Sequence, residues 1–257
     1  MPSIGSFTLI KNDVNFIKAH LDAWLPFLHI MVFLDGRSTD GTLEILRTYA
    51  IKNPKIILIE DKDPKDLKDD YVRLFDEALH TLNTNLCIYL HPDMLPENPT
   101  VLNDLPDDVI AGTFNVQSFA GEPGGPIYKI FGRGTRWKNI YRLTNPDMGA
   151  HYHGHYGAHN EDVYFSEITG GAHEYHGQAF EKYPYPVFDS TLVINHYSDV
   201  RPYARRLERM ERCLVNQGHS LEAARRMAPK HPRVSLENGQ NFSFAEVAMP
   251  TFMMEGK

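Results

Sequence analysis

Short apolar runs alternate with helical patterns through the first third of the chain, and this alternation limits the fold more than any other feature of the sequence. Each run has the length of a strand that is buried on both faces. Strands are predicted at 6–10, 30–34, 55–59 and 86–90, and helices at 15–28, 42–50 and 71–82. Strands and helices in this order form βαβ units with right-handed crossovers, so the sequence predicts a parallel sheet flanked by helices.

The segment Asp35–Thr42 follows the second predicted strand and has the composition of a turn that opens a helix. Gly36 and Gly41 can adopt a positive φ, and the Ser, Thr and Asp residues between them can cap the helix. Asp35 is thereby predicted at the carboxyl end of a strand, the edge at which open α/β sheets bind ligands. A connecting turn without a ligand is the alternative interpretation.

The alternation of strands and helices ends near residue 98. Later strands are predicted at 109–119, 126–131 and 191–194, the last of them short, and a helix at 200–217. The intervening residues 132–187 are rich in loops. From residue 229 onward we predict a loosely packed extension.

Composition and charge exclude several classes of protein. The chain has 257 residues, a net charge of −7 and a pI near 6.0, which argues against a general nucleic-acid binder. Its apolar runs are too short to span a membrane, its first residues lack the pattern of a signal peptide, and its two cysteines form no disulfide framework or metal knuckle. Cys87, inside an apolar strand, is predicted to be a core residue. We therefore expect a cytoplasmic protein without a transmembrane segment, and the absence of glycine-rich phosphate-loop motifs argues against kinases and dehydrogenases.

Three segments at predicted strand ends, Lys11–Asp13, Asp35–Thr42 and Leu90–Asp93, occur in a distinctive order and spacing. Together with Ile194–Ser198 before the last long helix, they resemble the family 2 glycosyltransferases of the GT-A fold. The resemblance implies an α/β fold of GT-A type, with a Rossmann-like, mostly parallel central sheet flanked by helices. A smaller mixed acceptor-side region and C-terminal helices complete the implied architecture.

The resemblance also implies an activity, the inverting transfer of a sugar from a nucleotide-diphosphate sugar to a hydroxyl acceptor. The acceptor is expected to be a saccharide or glycoconjugate. The implied cofactor is Mn²⁺ or Mg²⁺, because a divalent cation stabilises the charge that develops on the leaving diphosphate. The implied organisation is a nucleotide-sugar-binding half at 1–98, an acceptor-binding half at 99–228 and a C-terminal extension at 229–257. A glycosyltransferase-like binding protein without catalysis is the alternative.

The family's donor-binding positions fall on charged residues at the predicted strand ends. The nucleotide-sugar site implied by the resemblance comprises Lys11, Asp13, Asp35, Asp61, Arg73, His91 and Asp93. Asp93 matches the metal-binding second Asp of the family's Asp-x-Asp motif, whereas His91 stands where the first Asp is usual. His196, after the last predicted strand, is the other implied metal ligand, with a helix cap as the alternative. Plain surface or loop positions are the alternatives for Lys11, Asp61 and Arg73, and a turn cap for Asp93.

The base that deprotonates the acceptor is assigned by the resemblance to the acidic pair in Asn160-Glu161-Asp162. In the family such a pair often opens a helix beneath the acceptor cleft, and Asn160 can cap a helix whose first turn contains both acids. The pattern favours Asp162 as the base, with Glu161 as the second candidate. The preference of acidic residues for a first helical turn is the alternative explanation of the pair.

Four histidines lie between His151 and His159. In an extended chain, residues 151, 153 and 155 share one face, which fits a zinc site and makes a metal-dependent hydrolase the rival hypothesis. By the resemblance, His153 or His155 contacts the acceptor or the diphosphate instead. Plain hydrogen-bonding loop residues are the third interpretation.

Basic and aromatic residues that suit an acceptor site follow the strand predicted at 126–131. Arg133 can grip a phosphate and Trp137 can pack against a sugar ring, although a small hairpin core explains the same cluster. The arginine-rich helix at 200–217 is predicted to be a solvated structural helix, with peripheral membrane contact as its alternative.

Overall fold

The computed structural model describes residues 1–61, 78, 81–107, 111–132, 136–142, 152–155, 162–165, 187–216, 218–236, 242–250 and 253. The chain divides into two compact units. The first is built on residues 1–115, 137–156 and 161–194, and the second on residues 116–136, 157–160 and 195–257.

A four-stranded parallel sheet forms the centre of the first unit. Its strands are β1 (Ile4–Ile10), β2 (Ile30–Asp35), β3 (Ile56–Glu60) and β4 (Leu86–Tyr89), in the spatial order β4-β1-β2-β3. Helix α1 (Val14–Trp24) connects β1 to β2, and helix α2 (Thr42–Lys52) connects β2 to β3. The predicted parallel sheet with flanking helices is confirmed, and each strand begins and ends within two residues of its predicted bounds.

The core of this unit lies between the sheet and its helices. Residues 31–33 of β2 have no exposed surface, as a parallel strand covered on both faces requires. Helix α1 turns one apolar face inward, and Ile17, Leu21 and Trp24 on that face are fully buried. Cys87 of β4 is also buried, and burial raises the pKa of its thiol, so its prediction as a core residue is confirmed.

Further strands adjoin this sheet. β5 (Met94–Pro96) follows β4 and pairs with β11 (Val187–Val200). β8 (Arg136–Arg142) runs antiparallel to β4.

A separate two-stranded sheet overturns one prediction. β9 (Tyr152–His155) and β10 (Asp162–Phe165) pair in antiparallel fashion, with Asp162 opposite His155. Val, Tyr and Phe follow Asp162, and β-branched and aromatic residues of this kind favour strands. The helix predicted to open at Asn160-Glu161-Asp162 is therefore wrong for Asp162, while Glu161 lies outside the described residues.

The second unit contains an antiparallel sheet in the order β12-β7-β6. It is formed by the end of β6 (Ala111–Gly121), by β7 (Ile127–Gly132) and by β12 (Phe242–Val247). The first two strands are predicted by the sequence, and β12 is not. The prediction of a loosely packed C-terminal extension is wrong, because β12 pairs with β7 along its length and Val234 is 1% exposed.

Three helices of the second unit pack around a small apolar cluster. They are α3 (Tyr203–Asn216), α4 (Leu221–Met227) and α5 (Pro232–Ser235). The cluster consists of Met210, Leu214, Ala224, Ala228 and Val234. Among the helices that the structure describes, none combines the length and the apolar character that a membrane crossing requires. Of the helix predicted at 71–82, the structure describes Ala78 and Thr81 as helical and leaves most other residues undescribed.

Strand β11 is far longer than the short strand predicted at 191–194. It has 14 residues and continues through His196, Ser198 and Asp199, which are buried despite being polar. Polar residues interrupt an apolar pattern, so the sequence pattern ends the strand at Ile194. His196 therefore lies within a strand rather than after one.

Candidate functional site

Polar residues meet at one edge of the parallel sheet, because parallel strands share the edge at which they end. The register pairs Ile10 with Asp35 and Asp35 with Glu60 at that edge. The backbone N–H of Asp61 donates to the carbonyl of Asp35 at 3.0 Å, which places Asp61 next to Asp35. Strand β4 leads into the turn His91–Asp93 at the same edge. The fold thus brings to one edge the strand-end residues that the sequence singles out.

Asp35 presents a buried carboxylate at the end of β2. Its side chain is 1% exposed, and its Oδ2 accepts the N–H of Ser38 at 2.9 Å. Among the residues that the structure describes, no group hydrogen-bonds Oδ1, although this atom is also buried. A buried acceptor without a partner costs about 1–3 kcal/mol. The carboxylate is therefore suited to receive a hydrogen bond from a ligand.

Side-chain hydrogen bonds lock the loop after β1 to the loop after β2. Asn12 Oδ1 accepts the N–H of Thr39 at 2.8 Å. Asp40 Oδ2 accepts the N–H of Val14 at 3.0 Å, and its Oδ1 accepts both the N–H and the hydroxyl of Thr42. Partial burial would raise the pKa of Asp40, but the hydrogen bonds from Thr42 and Val14 together hold it below its usual value. Asp40 thus caps α1 from the neighbouring loop.

Both loops contain a residue other than glycine in the left-handed region. Asn12 has φ 59° and Arg37 has φ 62°, and Gly41 has φ 101°. The sequence predicts a positive φ at Gly36 and Gly41. The structure confirms this for Gly41, but in place of Gly36 it is Arg37 that has the positive φ. Left-handed non-glycine residues cost of order 1–3 kcal/mol each and cluster at functional sites. Their pairing at the carboxyl edge supports a ligand site there.

One carboxylate and one imidazole lie in the turn that follows β4. The ligand atoms of His91 and Asp93 lie within 4.8 Å of each other. Asp93 and His196 are 3% and 4% exposed, and His91 is half-buried. The N–H of Glu97 donates to the carbonyl of Val193 at 2.8 Å, and His196 follows three residues later on the same unbroken strand β11. Carboxylate oxygen and imidazole nitrogen are donors that divalent metal ions accept in proteins.

The residue after Asp93 is held by two donors from α1. The carbonyl of Met94 accepts the Nε1–H of Trp24 at 2.9 Å and lies 3.1 Å from Nδ1 of His20. A carbonyl can only accept, so Nδ1 of His20 carries the proton. Burial lowers the pKa of His20 to about 4, and the ring is therefore neutral near pH 7. Together the two side chains fix the start of β5.

Sequence reasoning missed His20, because it treats α1 only as an amphipathic helix. His20 lies four residues before Trp24 on the apolar face of α1, and it is fully buried. A polar ring at a core position of a helix is the pattern that would have identified it. A buried histidine needs a partner, and here the partner is Met94 on another element.

The other predicted site residues fall into two groups. Lys11 is exposed just after β1, and the carbonyl of Asp13 accepts the N–H of Ile17 at the start of α1. Trp137 lies on β8, His153 and His155 lie at alternate positions of β9, and Asp162 lies on β10. Arg73, Arg133, His151, His159 and Glu161 lie outside the described residues.

Comparison with known proteins identifies relatives of the fold. No protein-family model matches the chain, and no curated protein does. A mannosyltransferase from Pyrobaculum calidifontis, solved in complex with GDP-Man and Mn²⁺, is 15% identical, with a TM-score of 0.51 and coverage of 91% of this chain and 73% of that one. TarS from S. aureus is 13% identical, with a TM-score of 0.45 and coverage of 88% and 71%. Glucosyl-3-phosphoglycerate synthase from Mycobacterium tuberculosis is 17% identical, with a TM-score of 0.32 and coverage of 46% and 43%.

The likeness to the mannosyltransferase extends over nearly the whole chain and concerns its fold. The prediction of a GT-A type fold, with a parallel α/β sheet flanked by helices, is thereby confirmed.

Proposed function

We propose that the chain is an inverting glycosyltransferase that moves a sugar, such as a hexosyl unit, from a nucleotide-diphosphate sugar to a hydroxyl acceptor. The observation that carries this proposal is the pair His91 and Asp93, whose ligand atoms lie within 4.8 Å of each other at the end of β4 in a GT-A type fold. Open α/β sheets bind ligands at this edge. The mannosyltransferase of similar fold is solved with GDP-Man and Mn²⁺, which supports the same class of ligands here.

The donor nucleotide is proposed to bind across the ends of β2 and β3. Asp35 offers a buried carboxylate oxygen, and the backbone N–H of Asp61 donates to the backbone carbonyl of Asp35. Both carboxylates therefore suit the N–H groups of a base or the hydroxyls of a ribose. Lys11, exposed at the same edge, supplies positive charge for the diphosphate. Asp13 and Arg73 complete the proposed donor site by the family resemblance alone.

The residues at the end of β4 fit a divalent metal ion. Asp93 would contribute an oxygen and, by the family resemblance, His196 would contribute a nitrogen. Both side chains are buried. An ion held there would neutralise the negative charge that develops on the leaving diphosphate. The hydrogen bonds from Trp24 and His20 to the Met94 carbonyl hold the residue next to Asp93 in place.

The acceptor side is proposed to provide the base. In an inverting displacement a carboxylate must remove the proton of the attacking hydroxyl, and Asp162 is the preferred candidate, with Glu161 as the second. Arg133, Trp137, His153 and His155 are proposed to contact the acceptor or the diphosphate. Their residue types suit a saccharide or a glycoconjugate.

Thermal unfolding with nucleotides tests the proposal. Wild type, Asp93→Asn and the control Asp104→Asn, an exposed aspartate, are melted with UDP, GDP, CMP or dTDP, each with and without Mn²⁺. A ligand present at a hundred times its Kd stabilises the folded state by about 2.7 kcal/mol. We expect one nucleotide to raise the Tm only with metal, in wild type and in Asp104→Asn but not in Asp93→Asn.

Other outcomes of the same experiment identify the rival hypotheses. Stabilisation by Zn²⁺ alone, with no response to any nucleotide, would favour a metal-dependent hydrolase built on the histidines between 151 and 159. Stabilisation by a nucleotide and metal without release of nucleotide diphosphate from any donor sugar would favour a binding protein without catalysis. Either result contradicts the proposed transferase.

A further inference from the structure

We infer that helix α4 and the turn after it form a docking surface for an anionic phospholipid bilayer. This basic surface consists of Arg225, Arg226 and Lys230, with the apolar side chains of Leu221 and Met227 beside them. All five residues belong to the second unit, and all five are exposed. The inference concerns where the protein binds and does not depend on the proposed sugar transfer.

Positive charge is concentrated in the part of the chain that contains the basic surface. Residues 201–233 include nine arginines and lysines but three acidic residues, which gives them a net charge of +6. The whole chain has a net charge of −7, so the remaining residues have a net charge of −13. Eight of the nine cations are arginines, and the guanidinium group matches the geometry of a phosphate. This separation of charge favours a partner that presents phosphate groups to the second unit.

The arginines of α3 contribute little to this surface. Arg206 is 4% exposed and donates to backbone carbonyls. Nη1 of Arg209 donates to the carbonyl of Ser198 at 2.7 Å, which ties α3 to β11. Arg205 is exposed, but it forms an ion pair with Glu208 at 2.9 Å. These contacts fit the structural role that the sequence predicts for this helix, and they leave the available positive charge to α4.

The cations of the basic surface are available to a partner. Among the residues that the structure describes, no ion pair involves Arg226 or Lys230. Arg225 is 66% exposed, and its Nε lies 4.0 Å from a carboxylate oxygen of Glu211, at the outer limit of an ion pair. An exposed pair of this kind contributes little to stability, so an anion can replace it at small cost.

Helix α4 places small residues inward and large apolar residues outward. Ala224 has no exposed surface and packs in the apolar cluster, whereas Leu221 and Met227 are 52% and 39% exposed. A helix that only completes a core normally turns its large apolar side chains inward. The helix is also fixed at its start, because Oγ of Ser220 accepts the N–H of Ala223 at 3.2 Å. Leucine and methionine are thus held at the surface next to the cations.

The combination of cations and apolar side chains favours a bilayer over a nucleic acid. A nucleic-acid backbone is bound through its phosphates, which requires cations but gives no role to Leu221 and Met227. At a bilayer, anionic headgroups attract the cations and the boundary with the acyl chains receives the apolar side chains. The bilayer therefore accounts for both features of the basic surface.

Co-sedimentation of the full chain with lipid vesicles tests the inference. The vesicles contain phosphatidylcholine alone, or phosphatidylcholine with about 30% phosphatidylglycerol, a composition that supplies the negative surface charge. We expect the protein to bind the anionic vesicles and not the neutral ones. An increase of NaCl from about 0.1 M to about 1 M should weaken this binding at least tenfold, because the Debye length falls from about 10 Å to about 3 Å. This salt response needs no variant.

Two substitutions with matched controls test the position of the surface. Arg226→Glu should weaken binding to anionic vesicles by about tenfold or more, because it reverses one charge at the surface. Leu221→Ser should weaken it by about threefold or more, because less apolar surface is buried in the bilayer. The controls are Lys52→Glu and Ile51→Ser, which make the same kinds of change at exposed residues of α2 in the first unit. Both controls should bind the vesicles like wild type, and all four variants should keep the melting temperature of wild type within a few degrees.

Three results would overturn the inference. The first is equal binding to neutral and anionic vesicles, or no binding to either. The second is an equal loss of binding in Arg226→Glu and Lys52→Glu, which would show that net charge alone matters. The third is tight binding of wild type to a DNA duplex without binding to vesicles, which would assign the cations to a nucleic acid. Because these assays contain no nucleotide sugar, each result leaves the test of the proposed transferase unaffected.

Discussion

The two donors that grip the Met94 carbonyl should be energetically coupled, and a double-mutant cycle measures the coupling. A buried carbonyl that keeps one donor loses about 1 kcal/mol when the other is removed, because one hydrogen bond is lost. Removal of both Trp24 Nε1 and His20 Nδ1 leaves the carbonyl without either side-chain donor, and a buried unsatisfied acceptor costs about 1–3 kcal/mol. The double variant should therefore lose roughly 1 kcal/mol more than the two single variants together.

The cycle consists of wild type, Trp24→Phe, His20→Phe and the double variant, unfolded in urea at pH 7.5 and followed by circular dichroism. Volume changes and the loss of the second His20 nitrogen contribute to single variants and cancel in the coupling free energy. The His20 and Trp24 rings lie 6.4 Å apart, centroid to centroid, so contact between the rings could also couple the two residues. A second cycle therefore uses His20→Asn, which has no ring but keeps an N–H group on a nitrogen two bonds from Cβ. In the His20→Asn background, Trp24→Phe should lower the free energy of unfolding by no more than it does in wild type. A coupling of zero in the first cycle, or an equal coupling in both, would refute the shared-carbonyl explanation.

Two further predictions concern titration and capping. As pH falls from above 6.5 towards 4, the free energy of unfolding of wild type should fall by up to roughly 3 kcal/mol more than that of His20→Phe. The reason is that burial lowers the pKa of His20 in the folded protein to about 4, so the unfolded chain takes up the proton first. Urea titrations at pH 7.5 and 4.5 measure this, and parallel losses in both proteins would contradict it. Asp40→Ala should cost about 1–2 kcal/mol, because it removes the acceptor for the N–H groups of Val14 and Thr42. The same titration at pH 7.5 checks it, with the exposed Asp104→Ala as control, and equal stability of the two variants would show that the cross-loop cap contributes nothing.

The parallel half of the fold is predictable because its determinants are local. Each strand from β1 to β4 is a short apolar run, and each is separated from the next by a helical pattern or an acidic loop, so sequence spacing alone orders the sheet. The edge with Asp35, Asp61 and Asp93 follows from that order, because parallel strands must end together. This is the part of the candidate site that the sequence places correctly.

The rest depends on contacts between distant parts of the chain. His196 and Asp199 are polar, so the apolar pattern ends β11 too early, whereas the structure buries both inside a continuous strand. Strand β12 has a partner in β7, more than a hundred residues away, and no local pattern reveals that pairing. His20 is informative only once Met94 is known to lie against it. In each case a buried polar group or a distant partner decides the structure, and a single sequence shows neither directly.

The correction at Asp162 strengthens the proposal that this acid is functional. In a helix, an acidic residue after a capping Asn stabilises the first turn, and that stabilisation alone would explain its presence. Residues 162–165 form a strand instead, so Asp162 is not in the first turn of a helix. Aspartate is disfavoured in strands, and its place opposite His155 therefore calls for another reason. Removal of a proton from an acceptor hydroxyl is such a reason, and loss of sugar transfer in Asp162→Asn with unchanged nucleotide and Mn²⁺ binding is the result it requires.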